Sequence, residues 1–293
     1  MSHPALARGS LAIISGGASG IGLAAAQRWA SLGLSVGILD RASQTDLDSA
    51  IERISSSATG SASSEEYKGW SVDVSDREAV KRVADEVRAC FQGKKLTVLQ
   101  ANAGTGGGTK VGNWDEHWER ILNTNLYGVI HIVQAFLPLI QAHDQPAAII
   151  TTGSKQGITC PPGTGPAYNI SKAGVKVFTE QLAHEVRASS STRDRVSVHL
   201  LIPGWVHTGL TGAKEGKSKP DGAWSPEQTV DYLVREGLER KSFYVLCPDN
   251  ETSKEMDLKR IKWNVEDITH DRPALSRWHD DWKGKFDEYL KQS

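Results

Sequence analysis

Tyr168 and Lys172 stand four residues apart in the run Tyr168-Asn169-Ile170-Ser171-Lys172, a spacing that puts both side chains on one face of a helix. A phenol with an ordinary pKa near ~10 is a poor base at neutral pH. An ammonium one turn away stabilises the phenolate and draws that pKa toward the working range. Ser154, upstream of a glycine- and proline-rich loop, offers a hydroxyl that could hold a substrate oxygen beside the phenol. The chemistry suited to this trio is proton exchange with an alcohol or carbonyl oxygen.

A second cluster could bind a dinucleotide. In Ser15-Gly16-Gly17-Ala18-Ser19-Gly20-Ile21-Gly22, the spacing Gly20-x-Gly22-x-x-Ala25 follows a short apolar run and opens a helical one. Small residues there let backbone N–H groups and a helix N-terminus approach a pyrophosphate. Asp40 closes the next apolar run, twenty residues after Gly20, where a carboxylate can accept a hydrogen bond from a ribose 2′-hydroxyl. That carboxylate would repel a 2′-phosphate, and Ser19 brings no positive charge before Gly20. NAD is therefore expected over NADP. Arg41 is the countervailing residue, since a guanidinium can pair with a phosphate.

Such groups need a scaffold, and the apolar pattern supplies one. Short runs rich in Val, Ile and Leu predict strands at 11–14, 34–40, 70–74, 96–100, 147–152, 196–202 and 243–247. Between them, helical spacing predicts helices from 20 to about 32, 46–56, 77–91, 115–141 and 167–189, with a further helix beginning after Ser225. Ser75-Asp76-Arg77-Glu78 and Ser225-Pro226-Glu227-Gln228 have the form of capped helix starts. Alternation of this kind predicts an α/β Rossmann fold, a doubly wound parallel sheet with helices on both faces. Glycine-rich segments follow the strand ends at 16–17, 104–108, 153 and 204, where an open α/β sheet forms its ligand crevice. The Ser/Ala/Gly/Thr stretch 55–64 reads as a surface loop.

Composition narrows the partners. Thirty-four Lys+Arg against thirty-five Asp+Glu gives a net charge of −1, which offers no electrostatic case for nucleic acid or an anionic membrane. No run reaches the ~18 apolar residues of a membrane span, and residues 1–9 lack an apolar run of signal-peptide length. The three cysteines are widely spaced, without a CxxC pair. A cytoplasmic protein with free thiols is expected, and no histidine or cysteine spacing suggests a catalytic metal.

The motifs together resemble the single-domain NAD(P)-dependent branch of the short-chain dehydrogenase/reductase family. They run in family order: the glycine loop 15–22, Asp73-Val74, Asn102-Ala103-Gly104, Asn125, Ser154, Tyr168-x-x-x-Lys172, then Pro203-Gly204 with Thr208. The resemblance implies a seven-stranded sheet in the order 3-2-1-4-5-6-7. It also implies an oxidoreductase moving hydride between NAD and a secondary alcohol or ketone. Tyr168 becomes the general acid/base. Lys172 binds the nicotinamide ribose and lowers the phenol pKa, Ser154 orients substrate, and Asn125 holds a water relaying the proton through Lys172. Gly16, Ser19, Gly20, Ile21, Gly22, Asp40 and Arg41 would hold the dinucleotide. Asp73, Val74 and Asn102 to Gly104 would line its adenosine side, and Pro203, Val206 and Thr208 its nicotinamide side. The family's usual homodimer or homotetramer would form through the helices at 115–141 and 167–189. Departures are Ser15 for the usual Thr, Ala101 for a frequent Asn, and a Ser-to-Tyr spacing one residue longer than common.

The substrate is not named by these motifs. Gln156, Trp205, His207 and Trp224 are candidate substrate contacts, the last three flanking a Gly/Lys-rich segment, 208–222, that the resemblance makes a mobile lid. Cys160-Pro161-Pro162 is expected to wall the pocket, with no nucleophilic role for Cys160. Reduction of an imine or activated alkene at the same site, or a non-catalytic NAD-responsive regulator, are the alternatives. Residues 1–250 would form the dinucleotide-binding and catalytic domain. Residues 251–293 are left over, an extension whose Trp263, Trp278 and Trp282 argue for order. The spacing of Trp278 and Trp282 predicts an anchoring helical stripe, against the lid, a partner subunit or the protein's own body.

Overall fold

The computed structural model describes residues 3–59, 64–213 and 218–291. Residues 60–63 of the serine-rich loop and 214–217 of the expected lid lie outside the described residues. Seven parallel strands form one sheet in the order β3-β2-β1-β4-β5-β6-β7. They are β1 (Leu11–Ser15), β2 (Ser35–Asp40), β3 (Tyr67–Ser71), β4 (Leu96–Ala101), β5 (Ala147–Thr152), β6 (Val196–Ile202) and β7 (Tyr244–Leu246).

Burial on both faces explains why these strands read as unbroken apolar runs. Along β1, Leu11 and Ile13 join one core and Ala12 and Ile14 the other. The first core is covered by α3 (Arg77–Cys90), α5 (Gly128–Gln141) and α7 (Pro166–Ala188). The second is covered by α1 (Gly20–Ser31), α2 (Gln44–Ser56) and α8 (Pro226–Tyr232), with Trp29 of α1 fully buried in it. Among the described residues no helix is long and apolar enough to cross a membrane.

Several local expectations shift. β3 spans 67–71 rather than 70–74. Val72 and Val74 are buried beyond its end, where the Val74 carbonyl meets His131 Nδ1 at 2.9 Å. Asp76, not Ser75, caps α3, accepting from the Ala79 N–H at 2.9 Å. The expected helix over 115–141 is interrupted. Between α4 (Glu116–Leu122) and α5 the backbone widens into a π turn, Asn123–Tyr127. Such turns occur often at functional sites.

The residues after β7 form α9 (Lys254–Thr269), a 3₁₀ turn (Ser276–Trp278) and α10 (Asp280–Lys291). They gather around Trp263, which is 4% exposed. Its ring packs against Phe286 at 5.3 Å and Tyr289 at 5.1 Å, and Arg272 lies over it at 4.2 Å. The stripe expected from Trp278 and Trp282 does not form. His279 is extended between the 3₁₀ turn and α10, so the two indoles belong to different elements. Trp282 turns to Trp263 and Trp278 lines the central cleft.

Candidate active site

A cleft of about 890 Å³ opens along the C-terminal edge of the sheet. At its floor, α1 begins with Ser19 as an N-cap whose side chain makes no capping bond, leaving the first-turn amides available to a ligand. Two glycines make the close approach feasible. A Cβ on Gly22 would sit 2.0 Å from the Gly16 carbonyl oxygen, and Gly16 itself has φ +67°, with Ala103 2.8 Å from where its Cβ would be. The Ser15 hydroxyl accepts from the Asn102 and Ala103 N–H groups at 3.0 and 3.2 Å, so the Ser-for-Thr departure keeps the tie between the glycine loop and β4.

Asp40, at the end of β2, accepts from the N–H groups of Ala18 (3.0 Å) and Ala42 (3.1 Å), and its residue lines the cleft beside exposed Arg41. Asp73 and Val74 line the same end, with Asp73 Oδ1 taking the Ser75 N–H at 2.8 Å. An uncapped helix start, a carboxylate at the second strand end and a glycine floor fit a nicotinamide dinucleotide. Gly22 does not line the cleft; it packs behind Gly16.

The middle of the cleft holds the proton-transfer candidates. Tyr168 and Lys172 lie on the first turns of α7, and Ser154 follows β5. Burial pushes the Tyr168 phenol up, and a hydrogen bond with Ser154 pulls it back down. Burial pulls the Lys172 ammonium from 10.5 to about 8. Its Nζ donates to the Thr152 carbonyl at 2.8 Å and lies 5.8 Å from the Tyr168 ring centroid. Desolvation thus outweighs the expected downward pull on the phenol, and the bond drawing it down comes from Ser154. Between Ser154 and Tyr168 the chain forms the short helix α6 (Gln156–Thr159), whose last turn closes at Cys160 with φ +47°.

Asn125 sits at the π turn, fully buried. Its Oδ1 accepts from the Thr105 N–H at 2.7 Å, and its Nδ2 donates to the Thr105 carbonyl at 2.9 Å and to Ser171 Oγ at 3.2 Å. The side chain therefore braces the loop after β4, and only its neighbour Thr124 reaches the cleft wall. Gly104 separates Asn125 from Lys172: a Cβ there would lie 3.5 Å from Asn125 Oδ1 and 3.6 Å from Lys172 Nζ.

Pro203, Trp205, Val206 and Thr208 line the cleft after β6, as do Asn102, Ala103, Gly104 and Gln156. Thr208 faces the glycine loop, its Cγ2 3.2 Å from where a Gly20 Cβ would be. His207 and Trp224 do not line it. The bridge between Val206 and Trp224 turns the His207 N–H to the Trp224 carbonyl at 2.9 Å, and the Trp224 ring packs on Tyr232 at 5.6 Å. Pro161 and Thr164 wall the cleft, whereas Cys160 does not, and burial raises its thiol pKa.

Sequence reasoning missed the upper wall. Lys155, directly after Ser154, is paired with Asp249 at 3.2 Å and with Asp257 of α9 at 2.5 Å. Burial works against both carboxyls. In Asp249 it is outweighed by the Trp205 N–H and Lys155, leaving the pKa lowered; in Asp257 it prevails over Lys155, leaving the pKa raised. One turn on, Arg260 and Ile261 line the cleft, as do Arg277 and Trp278 of the 3₁₀ turn. Asn264 Nδ2 donates to the Ile158 carbonyl at 3.2 Å, holding α9 on α6. The available signal was the spacing of Asp257, Arg260, Asn264 and Asp267, a polar helix face that solvent exposure alone would also explain.

Residues 10–219 match the model of the short chain dehydrogenase family. An uncharacterized short-chain type dehydrogenase/reductase, y4mP, of Sinorhizobium fredii is 32% identical over 219 residues, covering 71% of this chain and 79% of that protein. The 3-oxoacyl-[acyl-carrier-protein] reductase FabG of Haemophilus influenzae is 29% identical over 205 residues, covering 70% of this chain and 77% of its own length. Among solved structures, a short chain dehydrogenase/reductase from Burkholderia phymatum in complex with NAD superimposes with a TM-score of 0.76 at 27% identity. That match covers 90% of this chain and 96% of the other.

Proposed function

Because this chain belongs to the short-chain dehydrogenase/reductase family, we infer that it is an oxidoreductase interconverting a secondary alcohol and a ketone, with NAD as the preferred cofactor. The nicotinamide, when bound, accepts or supplies the hydride. The chain's own residues manage the oxygen. Ser154 would hold the substrate oxygen beside the Tyr168 hydroxyl, and Tyr168 would take the alcohol proton in oxidation or give it to the carbonyl oxygen in reduction. Lys172, buried at 4% exposure and fixed on the Thr152 carbonyl, would direct its charge at the phenol and at a ribose hydroxyl. Asn125 fixes the loop that faces Lys172, and a water held beside it would relay the proton through Lys172.

The observation that carries this reading is that Ser154, Tyr168 and the buried Lys172 line one stretch of the cleft together. The NAD preference rests on Asp40, which lines the cleft at the end of β2 and whose carboxylate would repel a 2′-phosphate. The 3-oxoacyl reductase among the relatives fits ketone chemistry. Tyr168→Phe tests the mechanism: turnover of any accepted alcohol or ketone falls at least about 100-fold, while calorimetric NAD affinity is unchanged. A fully active variant overturns it.

A further inference from the structure

The upper wall of the cleft lies beyond residues 10–219, the span shared with the family model, and its chemistry is distinctive. It is built by Arg260 from α9 and by Arg277 and Trp278 from the 3₁₀ turn, together with Gln156, Thr159 and Pro161. Its place is fixed at the reacting end of the cleft, because Lys155 next to Ser154 is paired with Asp257, one helical turn before Arg260. The opposite end, with Asp40 and Asp73, is the adenosine side of the proposed cofactor.

Both guanidinium groups have bonding capacity left over. Arg260 Nη1 donates to Thr252 Oγ1 at 3.2 Å, but its Nε is buried without a partner. Arg277 makes no hydrogen bond or ion pair among the described residues; its guanidinium lies over the Trp278 ring at 4.7 Å and the Phe286 ring at 5.0 Å. Burial, and then the charge of Arg260, lower the Arg277 pKa against the upward pull of Asp257, so the two cations and that carboxylate stand within electrostatic reach of one another. The wall also holds Lys155, Asp249 and Asp257. Three cations thus face two carboxylates, and Lys155 lies against both of those.

The turn carrying Arg277 is held rigidly. Ser276 donates through N and Oγ to Asp267 at 3.1 and 2.5 Å, and its Oγ accepts from Trp263 Nε1 at 2.7 Å. These bonds hold Leu275 at φ +55°, a conformation costly for a side chain with a Cβ. Two arginines, one stacked on aromatic rings with no hydrogen-bond or ion-pair partner among the described residues and one half-engaged, preorganised over a cleft beside an indole, make a receptor for an anion joined to an apolar chain.

We propose that Arg260 and Arg277 form an anion subsite, so that the substrate is a hydroxy or keto compound bearing a terminal carboxylate or phosphate. Trp278 and Ile261 pack on the carbon chain between the anion and the reacting carbon. This assignment deepens the oxidoreductase reading and rests on it for the position of the reacting carbon.

The full chain, saturated with NAD, is titrated calorimetrically with a ladder of keto carboxylates of increasing length, their methyl esters and the matching keto alkyl phosphates. Hydride transfer from NADH to the same probes is followed in parallel. At the best chain length the anion binds at least about tenfold tighter than its ester, and Arg260→Gln or Arg277→Gln weakens the anion about 10- to 100-fold while leaving the ester unchanged. Arg277→Lys retains part of the preference, and circular dichroism checks that each variant folds. The tighter of the carboxylate and phosphate arms names the anion. Equal binding of anion and ester, or equal loss of both in the arginine variants, overturns the subsite. Arginine-dependent anion binding without turnover of any probe upholds the subsite and overturns the oxidoreductase reading instead.

Discussion

Lys155 is ion-paired with two buried carboxylates, with side-chain exposures of 18% for the lysine, 8% for Asp249 and 6% for Asp257. Replacing it by methionine keeps most of the volume and removes the charge, leaving both carboxylates facing each other in a poor solvent. Breaking a buried pair from one side costs about 3–5 kcal/mol. Arg260 also faces Asp257, which favours the lower end. At about 2 °C per kcal/mol for a chain of this length, Lys155→Met should lower Tm by about 6–10 °C at neutral pH.

Acidification gives the effect a signature. In the wild type, Asp249 has a lowered pKa and so contributes stability above the unfolded carboxyl value, lost as pH falls through its folded value. Asp257, with its raised pKa, costs stability at neutral pH and regains it as pH falls through its folded value toward the unfolded one. Without Lys155, burial raises Asp257 further, and Asp249 is left with backbone N–H groups, those of Trp205 and Thr252 among them, to oppose it. The variant therefore recovers stability on going from neutral toward about pH 5, and its deficit against the wild type shrinks. Asp257→Asn added to Lys155→Met should restore part of the loss, a coupling read directly from the double-mutant cycle. Scanning calorimetry across that range decides it. A variant within about 1 °C of wild type at neutral pH, or a deficit that grows on acidification, refutes the argument that this triad is a buried electrostatic joint.

Lys172 should show the opposite balance of stability and function. Holding it at a pKa of about 8 instead of 10.5 penalises the folded protein by about 3 kcal/mol, fully below pH 8 and vanishing as pH climbs toward 10.5. Lys172→Met relieves that penalty but strands the Thr152 carbonyl at a cost of about 1 kcal/mol. The variant should melt about 4 °C higher at neutral pH, lose its advantage in alkali, and be inactive; a lower Tm contradicts the burial cost. Gly22→Ala places a methyl 2.0 Å from the Gly16 carbonyl oxygen and should weaken dinucleotide binding about 10- to 100-fold, with an unchanged Kd by calorimetry as the refuting result.

The sheet and the centre of the cleft were legible because each rests on strong local signals. Strands buried on both faces must be apolar throughout, so β1, β5 and β6 stood where Val, Ile, Leu and Ala dominate. β3 slid by three residues because Lys68 and Gly69 weaken the strand pattern, while Val72 and Val74 extend the apolar signal past the last strand partner. The π turn at Asn125 left no trace, since a register change of one residue per turn hardly alters helical spacing. His207 and Trp224 fall outside the cleft lining because a bridge between two loops, not a periodic element, sets their backbone there. Arg260 and Arg277 were invisible for a related reason. They are separated by a turn whose geometry depends on Asp267 meeting Ser276, and charged residues in a helix ordinarily mean a solvated face.

The joint between Lys155 and Asp257 has an evolutionary corollary. Substrate preference in enzymes is often retuned by exchanging a terminal segment between relatives, as if it were an interchangeable cartridge. Here the cartridge is keyed to the residue next to the proposed substrate-orienting serine. A grafted C-terminal segment lacking an acid at position 257, or a recipient lacking a base at position 155, would bury an unmatched charge beside Ser154. Chimeras that divide positions 155, 249 and 257 should therefore lose catalytic register together with substrate preference.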